Sequence, residues 1–134
     1  MKIKISAWTV ITITGLFLHS ITANYLRPQF GGDDTFRSEL LGIAPNFLAA
    51  GFILPFSVLM IREHYAPNRH PLRRFGVSAW FWFALIGSQI ALITWEYLQF
   101  MGGNLVYDTS DIVATIVGGV VAICIFYFER NKPS

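Results

Sequence analysis

Glu96 and Gln99 stand three residues apart, and Asp108 and Asp111 repeat that spacing beyond a short glycine-containing stretch. Residues three apart on a helix share one face. Two carboxylates brought together can divide acid and base roles when their surroundings differ. The same acids and amides can instead hydrogen-bond a polar ligand. Three more polar residues, His19, Asn46 and Thr115, stand inside apolar runs and complete the candidate ligand-binding set. Most members also have a plainer role. Asp111, with Thr109 and Ser110, suits a helix start, where a capping side chain is worth about 0.5–2 kcal/mol. Asn46 and Gln89 suit interhelical hydrogen bonds of about 1 kcal/mol or less. His19 suits a packed position on an apolar helix, and Asp108 and Glu96 suit exposure to outer water.

The chain carries neither G-x-S-x-G, nor H-E-x-x-H, nor a P-loop, so a non-enzymatic role is favoured. Its lone cysteine, Cys124, forms no internal disulfide and no zinc spacing. Asp33 and Asp34 after Gly31-Gly32 read as a solvated turn. Neither a metal nor a cofactor is expected. No basic stretch with interleaved aromatics points to nucleic acid.

The elements that position these residues follow from composition. The chain has 134 residues, 54% hydrophobic and 13% charged, against about a quarter charged in soluble domains. Four apolar segments stand out, at about 5–26, 40–61, 77–100 and 111–128. Each is long enough to cross a bilayer as a helix, the fourth only just. Backbone groups in lipid must pair internally. The sequence therefore predicts an all-α polytopic membrane protein: one domain over 1–134, with four transmembrane helices in an antiparallel bundle. Connections of 27–39, 62–74 and 95–111 carry the turn signals Gly31-Gly32, Pro67, Pro71 and Gly102-Gly103.

Eight of the ten basic residues (Lys2, Lys4, Arg62, Arg69, Arg73, Arg74, Arg130 and Lys132) fall on one side of this topology, and Arg27 and Arg37 on the other. The positive-inside rule then places both termini in the cytoplasm. Trp8 and Tyr127 are expected at the inner interface; Tyr25, Trp95 and Tyr97 at the outer one. Arg69, Arg73 and Arg74 set topology and can meet anionic lipid heads. Phe30 and Phe36 place the first outer loop against lipid. A cleaved signal peptide ending at Ala23 competes with a retained first helix; the apolar run through Leu26 favours retention.

Polar and small residues recur at helical spacing in each segment: Thr12, Gly15, His19 and Thr22; Asn46, Ala50, Ile53 and Ser57; Gln89, Leu92, Glu96 and Gln99; Asp111, Thr115 and Gly118. Such groups face protein rather than lipid. Ala114, Gly118 and Ala122 permit close helix packing, and Pro45 and Pro55 can bend the second helix. His19 is expected about 8–10 Å below the outer helix end, at 1.5 Å per residue. His19, Asn46, Glu96, Gln99, Asp111 and Thr115 then share the outer half and can line a polar cavity open to the outer leaflet.

Glu96-Tyr97-Leu98-Gln99, then Tyr107-Asp108-Thr109-Ser110-Asp111, then Gly118 resemble the recurring pattern of the VanZ-like family of small bacterial membrane proteins. The likeness covers about the last 35 residues. Leu105 stands where the family often has Arg, and Thr115 where it often has Asn. The resemblance implies an integral protein of the bacterial cell envelope, in the inner membrane. Named members are associated with reduced susceptibility to the lipid-tailed glycopeptide teicoplanin, an antibiotic-resistance setting. The expected ligand is a lipid-linked or otherwise amphiphilic molecule at the outer leaflet. Alternatives are a non-catalytic accessory or packing subunit, an intramembrane enzyme on a lipid-linked substrate, and a small four-helix drug exporter. An exporter needs a membrane-embedded acid, usually in helix one, where this chain has only His19.

Overall fold

The computed structural model describes residues 6–30, 36–65, 75–102 and 109–132. Four helices are long and apolar enough to cross a membrane: α1 Ala7–Phe30, α2 Phe36–His64, α3 Val77–Met101 and α4 Thr109–Arg130. No strand occurs among the described residues. The chain is therefore an all-helical, multi-pass bundle whose environment is a lipid bilayer. The helices overrun most of the expected bounds. α1 continues through Pro28 to Phe30, α2 begins four residues before position 40, and α4 begins at Thr109. Amphipathic first and last turns lie beyond the apolar windows, so hydropathy alone truncates them. Phe30 and Phe36 consequently sit in helices rather than in a loop, and both are exposed. Ala23 lies inside the uninterrupted α1.

Two stretches wind more widely than an α-helix. Thr22–Leu26 in α1 and Ala49–Ile53 in α2 are π-helical. Each ends shortly before a proline, Pro28 and Pro55. A proline ring lacks the N–H for an i−4 bond and clashes with the i−4 carbonyl. A π turn redirects that carbonyl and keeps other groups paired: Arg27 N–H bonds Thr22 O, and Leu54 N–H bonds Ala49 O. Pro45, by contrast, lies within the α-helical stretch Phe36–Leu48.

The π turn of α2 sits at the centre of the packing. A β-carbon added at Gly118 of α4 would lie 2.6 Å from the Phe47 carbonyl oxygen, and one at Gly15 of α1 would lie 2.7 Å from Phe52 Cβ. Both helices thus approach α2 where only hydrogen fits. The core fills the half nearest the described termini. It comprises Phe56, Leu59, Phe81, Leu85, Ala122 and Phe126, with Trp8 packed against it. Phe81 and Phe126 stack with centroids 4.0 Å apart, and Trp8 stacks on Phe56 at 5.7 Å. Trp8 is therefore part of this aromatic stack, not simply an interfacial anchor as expected. Tyr25, Trp95, Tyr97 and Tyr127 are exposed on the bundle surface.

Candidate functional site

The polar residues gather in the other half, at the distal end of the bundle. Asn46 Nδ2 donates to Glu96 Oε1 over 3.1 Å, joining α2 to α3. The two residues are 50 apart in sequence, so the fold brings them together. Both are half-buried. The reason is local. Gln89, Leu92, Glu96 and Gln99 are all half-buried on α3, while Ile90, Ala91, Ile93, Trp95, Tyr97 and Leu98 are exposed. That face continues the buried row Phe81, Leu85 and Ser88. An apolar row in the proximal half thus becomes a polar row in the distal half.

On α4, Asp111 lies in the first helical turn and not before the helix. Its backbone oxygen accepts from Thr115 Oγ1 at 2.9 Å. Thr115 is fully buried, with Ala114, Gly118, Gly119 and Ala122. Its hydroxyl thus serves the helix and does not line an open surface. Gln99 is half-buried at the end of the α3 row. Asp108 lies outside the described residues, as do Arg69, Arg73 and Arg74.

His19 is half-buried on α1, in the row with buried Thr12, Gly15 and Thr22. Because α1 extends to Phe30, His19 lies roughly 16 Å from that helix end at 1.5 Å per residue, deeper than expected. Among the described residues no hydrogen bond joins it to the Asn46–Glu96 pair. Gln89 also departs from expectation. Its amide packs on Gly119, and Nε2 is buried without a hydrogen-bond partner among the described residues. Thr12 Oγ1 is in the same state. Ser88, which sequence reasoning passed over, donates to the Leu85 carbonyl at 2.8 Å.

Two hollows flank the distal half of α2. One, of about 280 Å³, is lined by Leu26, Phe30, Arg37, Leu40 and Leu41. The other, of about 320 Å³, is lined by Leu40, Ile43, Ala44, Phe47, Val113, Ala114 and Val117. Both are almost wholly apolar, with Arg37 at the first. Sequence reasoning missed them because hollows between apolar helices leave no periodic signal. The distal end thus holds a carboxylate–amide pair between α2 and α3 and, along other faces of α2, two acyl-sized apolar grooves. That arrangement can hydrogen-bond a polar head and shelter a tail. No metal-binding group of His, Cys, Asp or Glu occurs among the described residues. No family model, curated protein or solved structure matches this chain.

Proposed function

We propose that the chain is a VanZ-like protein of the bacterial inner membrane that binds, or shields against, a lipid-tailed amphiphile. In this reading the termini are cytoplasmic and the distal end faces outward. The observation that carries it is the Asn46–Glu96 hydrogen bond at the same end of the bundle as the apolar hollows. An amphiphile needs both chemistries in one place. Glu96 and Asp111 favour a head rich in amines and hydroxyls, and Gln99 adds an amide that can donate or accept. The hollows along Leu40 and Phe47 receive the tail. His19, set deeper, bounds the site from α1.

The test is binding of labelled glycopeptides, with and without a lipid tail, to the protein in nanodiscs. The tailed form is expected to bind, and Glu96→Gln and Asp111→Asn to weaken it by on the order of tenfold, the scale of a charge-assisted hydrogen bond. Equal binding of both forms, or indifference to both substitutions, rejects the reading. The mutual satisfaction of Asn46 and Glu96 favours a second one, in which the pair only joins helices in an accessory subunit. That reading expects a stoichiometric membrane partner and no ligand effect.

A further inference from the structure

The proximal end holds a cavity that the proposed site does not use. It has a volume of about 430 Å³ and is lined by Trp8, Glu63, Gly76, Val77, Ser78, Phe126 and Arg130. Its lining divides by chemistry. Trp8 and Phe126 belong to the aromatic stack and form an apolar floor. Arg130, the last residue of α4, donates to Ser78 Oγ in the first turn of α3. This guanidinium is held beside the start of a 25-residue helix whose N-cap, Gly76, supplies no side-chain cap. The guanidinium and the positive end of the α3 dipole share a preference for an anion. Glu63 supplies the opposite charge from the end of α2, and among the described residues it has no ion-pair partner.

The cavity therefore offers an anion-binding side and a cation-binding carboxylate above an apolar aromatic floor. It lies at the end of helices built to cross a bilayer, at the level where lipid headgroups sit. We infer that it is a headgroup site for a zwitterionic aminophospholipid: the phosphate against Arg130, Ser78 and the α3 N-terminus, the ammonium against Glu63. A purely anionic head would leave Glu63 opposed to it, and a bulky quaternary head would forfeit hydrogen bonds to the carboxylate.

Native mass spectrometry of the detergent-solubilised protein can test this with phosphatidylethanolamine, phosphatidylglycerol and phosphatidylcholine, each offered singly, and with free phosphoethanolamine. Phosphatidylethanolamine is expected to bind best. Arg130→Gln should lower occupancy by every phospholipid, on the order of tenfold. Glu63→Gln should lower phosphatidylethanolamine selectively and bring it level with phosphatidylglycerol. Both positions are exposed, so both variants should keep the wild-type melting temperature. Equal affinity of the wild type for all three lipids overturns the proposal, as does an unchanged preference in Glu63→Gln. Binding of free phosphoethanolamine as tight as the lipid would overturn the lipid assignment.

Discussion

The Asn46–Glu96 hydrogen bond permits a separation of structural from functional effects at single residues. A glutamine at position 96 keeps an acceptor for Asn46 Nδ2 but removes the charge. Glu96→Gln should therefore leave bundle stability nearly unchanged, while Glu96→Leu loses the bond. A double-mutant cycle of Glu96→Leu with Asn46→Leu should return a coupling of about 1 kcal/mol in micelles. A coupling near zero would show that the bond does not hold the helices together. Glycine positions supply a second residue-scale prediction. Gly118→Ala puts a methyl 2.6 Å from the Phe47 oxygen, whereas Gly42 and Gly87 have nothing within 4 Å. Gly118→Ala should cost roughly 1–3 kcal/mol, and Gly42→Ala and Gly87→Ala very little, as read by thermal unfolding. Part of this was legible in the residues. The Gln89–Leu92–Glu96–Gln99 face and the Ala114–Gly118–Ala122 row follow from spacing alone, and both are turned inward. The partner of Glu96, the orphaned Gln89 amide and the fully buried Thr115 hydroxyl did not, because each depends on how two helices are rotated against one another.

At the scale of the element, the π turns decide that rotation. Pro45 and Pro55 both signal a bent α2, but spacing cannot show that only Pro55 follows a π-helical stretch. One residue inserted by a π turn rotates the flanking helical halves by about 100° relative to each other. That is why the row Asn46, Ala50, Ile53 and Ser57 does not stay on one buried face: Ala50, Gly51, Pro55 and Phe56 are buried, while Ile53 and Ser57 are only half-buried. Restoring an i−4 donor with Pro55→Ala should allow the stretch to relax to α-helix and turn Asn46 away from Glu96. Cysteines at positions 46 and 96, in a Cys124→Ser background, should then cross-link several-fold less than with Pro55 present. Unchanged cross-linking would mean that packing against Gly15 and Gly118, not the proline, maintains the π turn.

At the scale of the whole molecule, the four spanning helices and their antiparallel order were readable from hydropathy, because lipid admits so few backbone solutions. The division of the bundle was less so. An aromatic core fills the proximal half and a polar seam the distal half, a contrast that emerges only when helices are aligned in depth. The proposed topology predicts sided chemistry. With Cys124 replaced by serine, a cysteine at exposed Met101 should react with an impermeant maleimide on intact cells, and one at exposed Lys132 only after permeabilisation. The opposite pattern would invert the bundle and remove the distal seam from the outer leaflet. The claim that the distal carboxylates serve envelope defence is tested most directly by susceptibility in a sensitive Gram-positive host. Empty vector, wild type and the Glu96→Gln/Asp111→Asn double variant would be compared at matched membrane levels, against glycopeptides with and without a lipid tail. The account predicts wild-type protection against the tailed compounds, lost in the double variant. Absence of protection by the wild type, or equal protection by both, would contradict it.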